Sequence, residues 1–181
     1  MDLTEKTLDK RYAYEGRIIN LRVDKAQLPD GRKVSREVVE HPGGVCVLPL
    51  TDDHDVLMVR QYRYPHERLF LEIPAGKLEK GEDPFECGKR ELSEETGMTA
   101  KKYRNLGRLV PTPAYCGEII YMYLATGLTQ SEQHLDDGEF LEVEKYPIEK
   151  LVQMVLDGEI EDAKTQAAVL KTKYLIDHDM I

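Results

Sequence analysis

The segment of residues 76–98, GKLEKGEDPFECGKRELSEETGM, constrains the fold more than any other part of the chain, because it carries both ends of a helix. Asp83 can accept backbone N–H bonds as an N-cap, and Pro84 suits the first helical position. Gly97 suits the left-handed residue that ends a helix. The sequence therefore predicts a helix over residues 84–96.

Three carboxylates of this helix lie on one face. At about 100° per residue, Glu91, Glu94 and Glu95 fall within roughly a 100° arc, while Leu92 points to a different side. Like charges at this spacing are unfavourable unless something offsets them. Such a run of carboxylates is ordinarily a helix face in contact with solvent. The alternative interpretation is that these carboxylates bind a divalent cation. Carboxylate oxygens favour magnesium or manganese over zinc.

The spacing decides between these interpretations, because the segment resembles the Nudix box. That motif reads Gly, five residues, Glu, seven residues, Arg-Glu, an aliphatic residue, any residue, Glu-Glu, any residue, Gly and an aliphatic residue. The matching positions in this chain are Gly76, Glu82, Arg90, Glu91, Leu92, Glu94, Glu95, Gly97 and Met98. The resemblance indicates a metal-dependent hydrolase of phosphate compounds.

Further segments are similar to the ADP-ribose pyrophosphatase branch of the Nudix hydrolases. Pro113, 15 positions after Met98, matches a proline of that branch. The other similar segments are residues 36–43, 61–63, 74–76, 117–118 and 137–140. The resemblance implies an α/β fold, the Nudix α/β/α sandwich with a mixed sheet, preceded by a small N-terminal β unit.

The remaining patterns agree with this fold class. Alternating residues in 19–23 and 34–38, joined by the turn Pro29-Asp30-Gly31, predict a hairpin in the N-terminal unit. Further strands are predicted at 45–50, 56–59, 69–73, 103–110, 119–124 and 139–146, and helices at 148–157 and 162–176. We expect an N-terminal unit over residues 1–42 and a Nudix domain over residues 43–181, with helices on the sheet faces.

The resemblance implies a set of metal ligands. The carbonyl of Ala75 and the carboxylates of Glu91 and Glu95 are expected to bind two or three Mg²⁺ ions, with Mn²⁺ as a possible substitute. Glu94 is expected as a further ligand or as a neighbour of the ligands. Arg90 cannot bind a metal ion, so we expect it to hold a neighbouring glutamate in the catalytic centre.

The catalytic base is expected in a loop after the box. Glu139 is the first choice, because a flexible loop could close over bound substrate there. Asp136 is the alternative.

Four substrate-binding residues are also implied by resemblance. Arg63 is expected to contact a phosphate, and Glu118 to lie near the terminal ribose or the attacking water. Arg36 and Glu37 match positions that approach the adenine, often from a partner subunit. We therefore expect a homodimer, with the N-terminal unit in dimerisation and in part of the substrate site.

The implied reaction is Mg²⁺-dependent hydrolysis of ADP-ribose to AMP and ribose 5-phosphate. Two alternatives stay open: another nucleoside diphosphate sugar of the GDP-mannose type, or a Nudix module that binds a nucleotide without turning it over. A net charge of −9 argues against a nucleic-acid partner. No apolar run approaches the ~20 residues of a membrane span, so we expect a cytoplasmic protein without a membrane partner. The three cysteines, Cys46, Cys87 and Cys116, lack metal-site spacing.

Overall fold

The computed structural model describes residues 2–181 and divides the chain into two compact units. The first contains the residues up to Gly43 together with Val110–Ile119, and the second contains Gly44–Leu109 and Ile120–Ile181. The expected boundary between residues 42 and 43 lies one residue away from the observed one. The segment 110–119, expected in the Nudix domain, is grouped with the N-terminal unit.

The first unit is built on an antiparallel sheet. Its strands are β1 (Lys6–Asp9), β2 (Tyr12–Glu15), β3 (Asn20–Gln27) and β4 (Lys33–Glu40). β3 is central, because β1 and β2 pair with successive parts of one of its edges and β4 pairs with the other. The pairing of β3 with β4 confirms the predicted hairpin. β1 and β2 were missed.

The segment 110–119 is attached to the end of β4. The Val39 N–H donates to the Tyr115 carbonyl at 2.8 Å, and the Gly117 N–H donates to the Val39 carbonyl at 2.9 Å. These two bonds explain why residues distant in sequence belong to the same unit.

The second unit contains two sheets and three helices. Its elements are β5 (Gly44–Pro49), β6 (Asp55–Arg63), β7 (Arg68–Glu72), β8 (Ala75–Lys77), α1 (Pro84–Thr96), β9 (Met98–Leu109), β10 (Ile120–Gln130), β11 (Leu141–Pro147), α2 (Ile148–Leu156) and α3 (Ala163–Asp177). One sheet has the order β8-β5-β10-β9 and is mixed, since β5 and β10 are parallel. The other has the order β11-β6-β7 and is antiparallel.

Alternation along β5 places a helical layer on each face of the mixed sheet. Val45 and Val47 pack in one cluster with Leu92 of α1. The intervening residues, Cys46 and Leu48, pack in a second cluster with residues of α2 and α3. Successive strand residues point to opposite faces, so one buried strand serves both layers. The predicted mixed α/β architecture is confirmed.

The second cluster also fixes the antiparallel sheet. Val56 and Met58 of β6, together with Leu71 of β7, pack in it. The strand ends that follow, at Arg63 and Glu72, are thereby held in place. Among residues 2–181, no helix is both long enough and apolar enough to cross a membrane.

Candidate active site

Helix α1 begins and ends where the sequence predicts. The Asp83 Oδ1 atom accepts from the backbone N–H of Phe85 at 2.9 Å and from that of Glu86 at 3.2 Å. Gly97 has φ = 64°, and its N–H donates to the Ser93 carbonyl at 2.9 Å. Both signals are local, and both work as expected.

A glycine lets α1 lie close to the mixed sheet. A Cβ atom at Gly88 would stand 3.1 Å from Val45 Cγ2 and 3.2 Å from Val47 Cγ2. Leu92, one turn later, is fully buried. This close packing brings the glutamates of the next face against the segment around β8.

Glu91 lies directly against Gly76. A Cβ atom built at Gly76 would stand 1.8 Å from Glu91 Oε1 and 1.9 Å from its Cδ. Such distances cannot occur, so the first glycine of the motif makes the space that the carboxylate occupies.

Glu95 is almost fully buried, with 1% of its surface exposed. Its Oε2 atom accepts from the Ala75 N–H at 3.0 Å. A buried carboxylate with so few donors is costly to ionise.

The electrostatics of these two glutamates are unusual. The pKa of Glu95 is raised to about 8, mainly by burial; the charges of Glu91 and Glu139 add to the shift, and the hydrogen bond from Ala75 and the charge of Arg63 oppose it. Burial also raises the pKa of Glu91 to about 7; Arg90 opposes this shift, while Glu94 and Glu139 add to it. Ionisation of Glu95 is thus offset only in part by the Ala75 N–H, and that of Glu91 only in part by Arg90.

Arg90 contacts three glutamates of the motif, Glu82, Glu91 and Glu94. Its Nε and Nη2 atoms donate to Glu82 at 3.0 and 3.2 Å, and its Nη1 atom lies 2.8 Å from both Glu91 Oε1 and Glu94 Oε2. Hydrogen bonds from Arg90 hold the pKa of Glu82 at about 2. The expectation that Arg90 orients a neighbouring glutamate agrees with these contacts.

A cavity of about 320 Å³ lies beside this cluster. Its lining residues are Gln61, Arg63, Ala75, Gly76, Lys77, Glu79, Arg90, Glu91, Asp136 and Glu139. The two candidate bases thus share a cavity with the expected metal ligands Ala75 and Glu91. They belong to one turn, since the Glu139 N–H donates to the Asp136 carbonyl at 2.9 Å.

Arg63 reaches the same cavity but is already bonded on one side. Its Nε and Nη2 atoms donate to the two Glu72 oxygens at 2.8 and 2.7 Å. Nothing in the sequence around Arg63 indicated this partner, and Glu72 was missed.

The other three predicted substrate-binding residues belong to the first unit. Arg36 is exposed and pairs with Glu5, at 3.0 Å from Nε and 2.7 Å from Nη2. Glu37 is exposed. Glu118 Oε1 lies 3.5 Å from the His41 ring. Their roles toward adenine and ribose stay predictions.

The donor set suits a hard divalent cation that keeps other ligands. Among residues 2–181, no three His, Cys, Asp or Glu side chains form a complete metal site by themselves. Magnesium does not require one, because it keeps several waters and takes substrate phosphates beside one or two carboxylates. Glu91 and Glu95 supply two carboxylates whose raised pKa values a cation would lower, so these residues fit Mg²⁺.

Comparison with known families decides the assignment. The NUDIX domain model matches residues 40–169, which is well over half of the chain. The chain belongs to the Nudix family. A second model, the nucleoside diphosphate sugar hydrolase N-terminal domain, matches residues 5–39 of this Nudix protein.

Individual relatives extend over nearly the whole Nudix chain. It is 43% identical over 169 residues to the ADP-ribose pyrophosphatase of Bacillus subtilis (strain 168), covering 92% of this chain and 91% of that protein. It is 41% identical over 167 residues to the methanol dehydrogenase activator of Bacillus methanolicus, covering 91% and 90%. A crystal structure of an ADP compounds hydrolase superposes with a TM-score of 0.86 over 100% of both chains, at 21% identity. The predicted family and fold are confirmed.

Proposed function

We propose that this Nudix protein is a magnesium-dependent ADP-ribose pyrophosphatase that hydrolyses ADP-ribose to AMP and ribose 5-phosphate. The observation that carries the proposal is the pair of carboxylates, buried Glu95 and partly buried Glu91, beside Ala75 and next to a cavity with basic side chains. The 43% identity to an ADP-ribose pyrophosphatase supports the substrate.

The chain's own residues account for the chemistry around the pyrophosphate. Glu91, Glu95 and the Ala75 carbonyl would hold Mg²⁺, with Mn²⁺ as a substitute, and Arg90 keeps Glu91 and Glu94 oriented. The metal, when bound, neutralises phosphate charge and lowers the pKa of water. A water oxygen forms a bond to one phosphorus atom, and the bond from that phosphorus to the bridging oxygen breaks.

Glu139 is the proposed base for the proton of that water, with Asp136 as the alternative. Both carboxylates face the cavity that contains Ala75 and Glu91. From there the charge of Glu139 adds to the raised pKa values of Glu91 and Glu95. The proton of the water is transferred to the Glu139 carboxylate, and the bridging oxygen remains on the departing phosphate.

Arg63 binds a phosphate oxygen, and Arg36, Glu37 and Glu118 bind the nucleoside and ribose parts. The site depends on a homodimer, in which the N-terminal unit supplies Arg36 and Glu37 to the adenine. The protein works in the cytoplasm, without nucleic-acid or membrane partners.

A different nucleoside diphosphate sugar is the second candidate substrate. The N-terminal match to a nucleoside diphosphate sugar hydrolase domain favours this broader class. GDP-mannose and ADP-glucose would use the same metal site with different contacts to base and sugar.

Product analysis tests the proposal. Purified protein is incubated with ADP-ribose and Mg²⁺, with parallel reactions on GDP-mannose and ADP-glucose. We expect AMP and ribose 5-phosphate from the wild type and from Glu86→Gln, and a loss of at least about 10²-fold in Glu95→Gln. Glu86 is a matched control, because it lies on the exposed part of the same helix and its carboxylate pairs with Lys89, on the same exposed face.

The other outcomes are equally informative. Faster turnover of GDP-mannose would mean that ADP-ribose is not the preferred substrate, while the proposed metal site would still stand. Tight nucleotide binding without any product would indicate a binding module. Equal activity in Glu95→Gln and Glu86→Gln would contradict the proposed metal ligands.

A further inference from the structure

Two charged side chains outside the proposed catalytic residues are buried against each other. Glu72 is 2% exposed and Lys164 is 8% exposed, and Lys164 Nζ donates to Glu72 Oε2. Moving two charges out of water is expensive, and a pair of apolar residues of similar volume often stabilises a protein equally well. Stability alone therefore does not explain this pair.

The pair is the middle of a chain of four alternating charges. Lys164 Nζ lies 3.0 Å from Asp162 Oδ2, and Arg63 donates to both Glu72 oxygens at 2.8 and 2.7 Å. The four charges sum to zero. Burial would raise the pKa of Glu72, but the hydrogen bonds from Arg63 and the charge of Lys164 hold it at about 2. Burial would likewise lower the pKa of Lys164, yet Asp162 and Glu72 raise it.

Arg63 is the member of this chain that lines the active-site cavity. Its Nε and Nη2 atoms are fixed by Glu72, which sets the plane of the guanidinium. Its Nη1 atom has no hydrogen-bond acceptor among residues 2–181. A planar donor held on one edge and free on the other is suited to bind an anionic oxygen.

The first turn of α3 anchors the other end of the chain. Asp162 is the N-cap of α3 and accepts from the Thr165 N–H at 3.0 Å. Thr165 Oγ1 in turn accepts from the Ile73 N–H at 3.0 Å. The first turn of α3 therefore holds the Glu72 side chain through Lys164, and it holds the Ile73 backbone through Thr165.

We propose that Lys164 and Glu72 are positioning residues, through which the first turn of α3 orients the Arg63 guanidinium toward a phosphate oxygen of the substrate. This inference rests on the proposed function, which assigns a phosphate contact to Arg63. Lys164 and Glu72 themselves do not touch the substrate.

The test removes both buried charges together, so that neither is left unpaired in the core. In the double variant Glu72→Met/Lys164→Met, both side chains keep a similar length, while Asp162 and Arg63 are each accessible to water. Glu144→Gln is the matched control, because it removes the carboxylate partner of another arginine, Arg60, in the same sheet. Thermal unfolding of each variant establishes that the fold is kept.

We expect the KM for ADP-ribose to rise about tenfold in the double variant, while kcat changes less than about twofold, because an oriented phosphate contact acts on bound substrate and transition state alike. The effects of Arg63→Ala and of the double variant on KM should be less than multiplicative, since both remove one contact. An unchanged KM in a double variant that still unfolds cooperatively would overturn the proposal, and so would fully multiplicative effects.

A second measurement separates this inference from the proposed function. The Arg63 Nε–H signal in ¹⁵N NMR, assigned by its loss in Arg63→Lys, reports the guanidinium orientation without substrate. We expect slow hydrogen exchange of this proton in the wild type and in Glu144→Gln, and fast exchange in the double variant. Slow exchange in all of them would reject the positioning role even if ADP-ribose is hydrolysed. A wild type that does not hydrolyse ADP-ribose, but shows the expected exchange pattern, would reject only the proposed substrate.

Discussion

The raised pKa values of partly buried Glu91 and buried Glu95 predict an unusual pH dependence for the metal-free protein. Their pKa values in the folded state, about 7 and about 8, lie above the ordinary value of 4.5. Between pH 4.5 and 8 the folded state therefore binds more protons than the unfolded state, so the free energy of unfolding decreases as the pH rises through this range. The contribution of Glu95 to this decrease in unfolding free energy is on the order of 5 kcal/mol.

Urea unfolding in the presence of a chelator, measured at several pH values, checks this expectation. Glu95→Gln should flatten the decline between pH 5 and 8, whereas Glu86→Gln should follow the wild type. Curves that run parallel for wild type and Glu95→Gln would mean that Glu95 is ionised without difficulty in the fold.

Gly76 provides a sharper test of the site at the level of one atom. In Gly76→Ala the new methyl group would overlap the Glu91 carboxylate, which is the movable end of a flexible side chain. The carboxylate can swing away, so we expect stability to change by less than about 1 kcal/mol. Displacement of a proposed metal ligand should nevertheless lower kcat/KM by about 10²-fold or more.

Thermal unfolding and steady-state kinetics of Gly76→Ala separate the two effects. A variant that keeps full activity would show that Glu91 need not occupy its observed place. If Gly76→Ala does not fold, the role of Glu91 is tested with Glu91→Gln instead, which removes the ligand charge without adding a methyl group.

Helix α1 can be tested through its first residue, because the cap is a separate interaction from the site. Asp83→Ala removes the acceptor for two backbone N–H groups and should cost about 1 kcal/mol of unfolding free energy. Asp83→Asn keeps an acceptor and should cost much less. Chemical denaturation measures both, and equal losses in the two variants would contradict the capping role.

The same helix shows why some elements could be predicted from the sequence and others could not. Its start and end depend on Asp83, Pro84 and Gly97, which act within one turn of the chain. Strands β1 and β2 carry no such signal, since all their residues are exposed and no alternation of buried residues marks them. They are strands because the edge of β3 is available to pair with them.

The candidate site divides in the same way. The motif spacing was sufficient to predict Glu91, Glu94 and Glu95 on one helical face, because a helix has a fixed period. The Glu72–Lys164 pair joins residues 92 positions apart, and only the packing of α3 brings them together. No local pattern could indicate it.

The first unit as a whole carries an apolar surface that supports the proposed homodimer. Eight large apolar side chains are exposed in the described part of this unit: Leu3, Leu8, Tyr12, Tyr14, Ile18, Ile19, Val110 and Tyr115. Large exposed apolar surfaces often mark association sites, so we place the proposed dimer contact on this unit. The proposed function needs a partner to supply Arg36 and Glu37, so association and activity should be lost together.

Charge placed on this surface tests the dimer in the full-length protein. In Leu8→Glu/Tyr14→Glu, the positions are 41% and 58% exposed, so the unit can still fold. Repulsion and lost apolar contact should convert a dimer to a monomer in sedimentation equilibrium and raise the KM for ADP-ribose at least tenfold. Tyr174→Glu on α3, also 58% exposed, is the matched control and should leave both properties unchanged. A wild type that sediments as a monomer while hydrolysing ADP-ribose would contradict the homodimer, and the adenine contacts would then have to come from the same chain.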